Sequence, residues 1–179
     1  MLIGGTGTVT PCDYTDRRTA LCRPPARTGG SMTDQPDDDD YLQLLVFSDD
    51  ASVREEVKTG VGRRPAKGLP LVAWTDAATA EGVRLAIKDR EAEGKPPFDA
   101  LVLDAEAKKL GGMGLAHELY IELDARPPVV LLTARPQDDW LAAWARAEAV
   151  VPRPLDPLAL QEGVAGALTA RPGTVVPAG

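Results

Sequence analysis

Three residues far apart in the chain occupy the same place in the local pattern. Asp104 follows Ala100-Leu101-Val102-Leu103, Thr133 follows Val129-Val130-Leu131-Leu132, and Arg153 follows Ala149-Val150-Val151-Pro152. Each preceding run is apolar and strand-sized. If the runs are parallel strands of one doubly wound sheet, their carboxyl ends open on one crevice and the three side chains meet there. A carboxylate, a hydroxyl and a cation converging at one point suit one task, which is to hold a phosphoryl group. Transfer of that group onto a carboxylate brings anions together, so such a site works by positioning and charge neutralisation.

The elements that must position these residues begin at Tyr41, where short apolar runs alternate with amphipathic stretches five times. This alternation predicts an α/β fold, a five-stranded parallel sheet with helices on both faces. The first strand is read at Leu42 to Ser48, with Asp49 or Asp50 capping a helix that carries Val53, Val57 and Val61 on one stripe. The second strand is placed at about Pro70 to Trp74, followed by a helix from Ala77 to Glu93 bearing Val83 and Ile87. The third strand is Phe98 to Leu103, and a loop at Leu110-Gly111-Gly112-Met113-Gly114 leads to a helix with Leu115, Leu119 and Leu123 aligned. The fourth strand starts after Pro127-Pro128, which fit a strand entry and not a helix interior. The fourth helix, Asp138 to Ala147, carries Trp140, Leu141 and Trp144, one tryptophan being expected in the core unless the pair anchors a partner. After a short fifth strand, Asp156-Pro157 supplies a cap and first-turn proline for a last helix with Leu160, Val164 and Leu168 inward.

Composition excludes several classes. The chain has 179 residues and a formal net charge of −7, the wrong sign for a nucleic-acid or anionic-membrane surface. Its apolar runs fall well short of the roughly 20 residues that span a bilayer, and the start lacks a signal-peptide layout, so a cytoplasmic protein is expected. Residues 1–40 show no helical or strand period and end in Asp37-Asp38-Asp39-Asp40, which reads as a disordered, solvated extension. Met32, followed by Thr33-Asp34-Gln35-Pro36, reads as a native start, making 1–31 a translated leader. Cys12 and Cys22 lie in that extension without metal-ligand neighbours and read as incidental. The folded domain is expected over 41–170, with 171–179 frayed. Arginine exceeds lysine, and alanine, glycine and proline abound, as in a GC-rich genome.

With acids after the first and third strands, Thr133 after the fourth and Arg153-Pro154 after the fifth, residues 42–169 resemble the CheY-like receiver domain of bacterial response regulators, here an atypical stand-alone member of actinobacterial kind. The resemblance implies a flavodoxin-like sheet of order 2-1-3-4-5 and a cis peptide before Pro154. It implies that Asp104 is the phospho-acceptor and Asp49 a direct magnesium ligand. Asp104 and the Glu106 backbone carbonyl complete that set, with Asp50 a lesser candidate, because magnesium favours carboxylate, carbonyl and water oxygens. By the same resemblance Thr133 reads the phosphate, Ala134 is the small residue after it, and the donor is a histidine kinase or a small acyl phosphate. The target is a protein meeting the face of the fourth helix, fifth strand and fifth helix. A homodimer is left open, and the only enzymatic chemistry implied is self-phosphorylation and self-dephosphorylation.

The departures from the family pattern are specific. Counting back from Arg54 puts Ser48 in the first acid position and Asp49 in the second, so one carboxylate is missing and magnesium should bind weakly. Making Asp49 and Asp50 the acidic pair needs a one-residue slip against the strand alternation. Arg153 replaces the usual lysine, and a planar fork does not substitute freely for an ammonium. Val150 stands at the aromatic switch position, and Lys108 and Lys109 occupy a loop that usually holds a proline. An inert pocket in which Arg153 merely pairs with Asp104 would make the chain a phosphate-independent interaction module. A third reading, an aspartyl-nucleophile phosphohydrolase with Glu106 as proton donor, is weaker because such a nucleophile belongs on the first strand. His117 has no second ligand nearby, and the glycine run lacks the spacing of a nucleotide loop.

Overall fold

The computed structural model describes residues 41–134 and 139–170. The extension at 1–40 with its two cysteines, the tail at 171–179, and Asp138 lie outside the described residues. Five strands, β1 (Tyr41–Phe47), β2 (Leu71–Ala77), β3 (Ala100–Asp104), β4 (Val129–Thr133) and β5 (Ala149–Pro152), alternate with α1 (Ala51–Val61), α2 (Ala80–Ala92), α3 (Gly112–Glu122), α4 (Asp139–Trp144) and α5 (Pro157–Thr169). All pairings are parallel and the sheet order is β2-β1-β3-β4-β5, the doubly wound arrangement expected from the alternation.

The two-residue repeat of a strand divides the sheet into two cores. Leu45, Phe47, Leu101, Leu103 and Leu131 face one side and are covered by Val83 of α2 and by Leu115 and Leu119 of α3. Leu44, Val46, Val102, Val130 and Leu132 face the other, against Val53, Val57 and Val61 of α1 and Leu160, Val164 and Ala167 of α5. The central strands β3 and β4 are buried along their whole length, which is why both read as continuous apolar runs. Helix starts follow local chemistry. Asp50, Thr79 and Asp156 cap α1, α2 and α5 by accepting from the backbone N–H groups of Ser52, Gly82 and Ala159.

The boundaries that differ most from the sequence reading are those of β2 and α4. β2 continues past Trp74 to Ala77 because Thr75, Asp76 and Ala77 pair with Leu45, Val46 and Phe47, and α2 therefore waits for its cap at Thr79. α4 stops at Trp144, short of the expected Ala147, since Arg146 adopts a left-handed backbone (φ 56) incompatible with helix. The consequence reaches the tryptophans. Neither is buried: Trp140 is 68% and Trp144 51% exposed. Trp144 instead stacks on His117 of α3, with ring centroids 4.1 Å apart.

At the amino-terminal end of β4 and β5, Glu148 is fully buried and receives Arg126 Nη2 at 2.8 Å on Oε1 and the Val129 N–H at 2.6 Å on Oε2. Arg126 also donates to the Pro127 and Arg146 carbonyls. The charge pair thus ties the entry to β4 to the turn before β5, and no sequence period announces it. Glu148→Ala is expected to lower the unfolding free energy by about 3–5 kcal/mol, because it leaves a buried guanidinium without its counter-charge. A urea titration is the check, and a loss under about 1 kcal/mol would put the pair in the class of exposed ion pairs.

Candidate functional site

The carboxyl ends of β1, β3, β4 and β5 meet at one edge of the sheet. Asp104, the last residue of β3, is 3% exposed. Its Oδ2 accepts from Ser48 Oγ at 2.7 Å and from Arg153 Nη2 at 2.8 Å, and its Oδ1 accepts from the Glu106 N–H at 3.1 Å. A carboxylate offers about four lone-pair directions. Three are used, and the fourth lies on Oδ1.

Each partner is set by the fold. Ser48 follows β1 directly, is fully buried, and receives the Asp50 N–H on its own Oγ at 3.1 Å. Arg54, one turn into α1, donates to the Ser48 carbonyl at 2.6 Å and so ties the helix to the strand end. Arg153 is held by its backbone N–H on the Thr133 carbonyl at 2.8 Å and precedes a cis peptide to Pro154, as the resemblance implied. Thr133 closes β4, opposite Pro152 in register, and is fully buried. The loop from β3 to α3 explains its glycines. A Cβ at Gly112 would sit 2.7 Å from the Asp104 carbonyl oxygen and 2.9 Å from Leu103 Cβ, and one at Gly111 only 2.4 Å from the Ala105 carbonyl oxygen. The backbone of α3 thus begins directly against Asp104.

Of the residues singled out from sequence, Ser48, Asp104 and Arg153 are in hydrogen-bond contact, Glu106 joins through its N–H, and Thr133 lies at the neighbouring strand end. Asp49 is exposed in the turn after β1. Asp50 is exposed and committed to its cap, so it is Ser48 and not Asp50 that meets Asp104. Val150 is buried in the core. Arg54 went unmarked as a site-supporting residue in the sequence reading, and its spacing from Ser48 is the one signal that pointed to it.

The donor set does not make a preformed magnesium site. Among the described residues no three His, Cys, Asp or Glu side chains cluster as metal ligands. The position that would add a second buried carboxylate is a hydroxyl already donating to Asp104, and one Asp104 oxygen carries a guanidinium. Magnesium demands oxygens in octahedral array, which this set supplies poorly.

No family model matches the chain. It is 42% identical over 135 residues to an uncharacterized response regulatory protein of Mycobacterium tuberculosis, covering 75% of this chain and 97% of that protein, and a second strain carries a counterpart with the same figures. Among solved structures, the fold is similar to the Francisella response regulator 1452 receiver domain, with TM-score 0.55, 19% identity, and coverage of 70% of this chain and 95% of that one. It is likewise similar to a CheY-like receiver domain protein from Methanospirillum hungatei, with TM-score 0.53, 18% identity, and coverage of 72% and 94%. At those identities the structural likeness speaks for the fold.

Asp50 generates a pH prediction. Hydrogen bonds from the Ser52 backbone and side chain hold its carboxyl below the ordinary 3.8, and the charges of Arg153 and Arg54 act in the same direction. A depressed folded-state pKa contributes stability that is complete above the ordinary value and lost as pH falls through the folded one. The gap in melting temperature between wild type and Asp50→Ala should therefore be constant at neutral pH and close only below 3.8. Thermal melts across that range are the check, and a gap already closing near neutrality would refute the assignment.

Proposed function

Because this chain belongs to the response-regulator family as a receiver domain of a two-component system, we propose that Asp104 accepts a phosphoryl group and that the signal leaves by protein–protein contact. The observation that carries this reading is the Asp104 carboxylate itself. It is buried at the strand end, with Arg153 on one oxygen and a lone pair remaining on the other. Burying a carboxylate is costly unless it is paired and hydrogen-bonded, and here the shell leaves one direction uncommitted.

The chemistry follows from that shell. Ser48 and the Glu106 N–H fix the carboxylate plane, so Oδ1 is presented to an incoming phosphorus in one orientation. Arg153 neutralises charge as the phosphoryl group arrives. Thr133 is the hydroxyl residue assigned to read the product. The donor is a histidine kinase or a small acyl phosphate. A magnesium ion would draw on Asp49, Asp104 and the Glu106 backbone carbonyl, a set that supports weak binding only, since Asp50 is held in its cap.

Output is assigned to the face of α4, β5 and α5. The exposed Trp140 of α4 supports it, as aromatic anchors concentrate at interfaces. A cytoplasmic location accords with the absence, among the described residues, of any helix long and apolar enough to cross a membrane. The phosphohydrolase reading gains no support, because Asp104 ends the third strand and Glu106 is exposed.

Intact-protein mass after incubation with an acyl phosphate and magnesium tests the assignment. Wild type is expected to gain one phosphoryl mass and Asp104→Ala none. A folded wild type that gains nothing would overturn the reading and leave the phosphate-independent interaction module.

A further inference from the structure

The shell around Asp104 has an unusual charge balance. Where a second carboxylate would draw in a divalent cation there is Ser48, a neutral hydroxyl donating to Asp104. On the same Asp104 oxygen sits Arg153, a fixed positive charge at 2.8 Å. The pair is neutral before any ion arrives, and a metal ion approaching that oxygen meets a guanidinium in its place. An arginine keeps its charge at every physiological pH and presents five donors in a planar fork. One of these engages Asp104, while Nε is buried without a hydrogen-bond partner. The side chain remains 31% exposed at the pocket rim, which leaves donor capacity for the oxygens of a transferring group.

We propose that Arg153 takes the place of the divalent cation, so that this receiver accepts its phosphoryl group without magnesium. The proposal rests on the assignment of Asp104 as acceptor. In the step, Asp104 Oδ1 attacks the phosphorus of an acyl phosphate or a phosphohistidine and a new O–P bond forms. The bond from phosphorus to the acyl oxygen or imidazole nitrogen breaks, and its electron pair stays with the departing carboxylate or imidazole, the latter leaving neutral when its other nitrogen carries a proton and otherwise taking up one proton from solvent. Arg153 meets the charge that develops on the phosphoryl oxygens. Ser48 keeps the carboxylate in plane.

The test follows adduct formation by intact mass on the full chain, with acetyl phosphate as donor, in excess magnesium and in chelator. Wild type should label Asp104 in both, with rates within about twofold, and Arg153→Ala should be about a hundredfold slower in chelator, the usual cost of one preorganised charged donor. Arg153→Gln serves the same comparison should the alanine variant not fold. Manganese titration followed by electron paramagnetic resonance gives a readout apart from labelling: wild type is expected to leave the ion free at micromolar concentration, and Ser48→Asp to bind it. Labelling of wild type that requires magnesium, tight manganese binding by wild type, or labelling of the Arg153 variants in chelator at the wild-type rate would each overturn the proposal. Absence of an adduct under both conditions would remove the acceptor reading beneath it.

Discussion

A buried carboxylate must be neutralised where it stands, and much of the carboxyl edge of this sheet is arranged around that requirement at Asp104. The side chain sits at the end of a strand with no exposed residue, in surroundings where an unpaired charge is not tolerated. Three donors from three parts of the chain answer it: the hydroxyl after β1, the guanidinium after β5, and the backbone N–H two residues on. Their convergence depends on parallel strands ending at one level, which the sheet order and register provide.

That constraint also accounts for features that look unrelated to it. Gly111 and Gly112 are required because α3 begins with its backbone pressed on the carbonyls of Ala105 and Asp104, and any side chain there would push the helix away from the end of β3. Arg54 closes α1 onto Ser48, so the hydroxyl donor is held by a helix as well as a strand. The Arg153 N–H bonds the Thr133 carbonyl, which couples the cation to the end of β4. Asp104 is thereby linked to three strand ends by hydrogen bonds.

The opposite edge of the sheet carries a second buried charge pair, Arg126 with Glu148, with a different logic. Both partners are buried, and the carboxylate accepts twice from the guanidinium and once from the Val129 N–H. Such a pair specifies geometry and has no opening for chemistry. Asp104 differs in having a partner, Arg153, that reaches solvent. The turn that this clamp organises, with Arg146 in a left-handed conformation, also cuts α4 short and leaves its tryptophans on the surface.

The alternation of apolar runs and amphipathic stretches was enough to establish the βα repeat, the two helical layers and the strand ends at which Asp104, Thr133 and Arg153 stand, because period and burial are local consequences of residue order. The cap at Asp156, and one at Asp49 or Asp50, were legible for the same reason. The reach of β2 to Ala77 was not, since it depends on pairing with Leu45, Val46 and Phe47, residues distant in the chain. Nor were the truncation of α4, the Arg126–Glu148 pair or the steric need for Gly112, all of which arise where separate elements touch. Ser48 could be recognised as a departure from the family pattern, yet its hydroxyl on Asp104 and the guanidinium sharing that oxygen are facts of three-dimensional convergence. Residue types declare which charges a site can contain; only the packing of strands from different parts of the chain determines which of them meet, because a hydrogen bond is made at about 3 Å and the residues that make it here are some fifty positions apart.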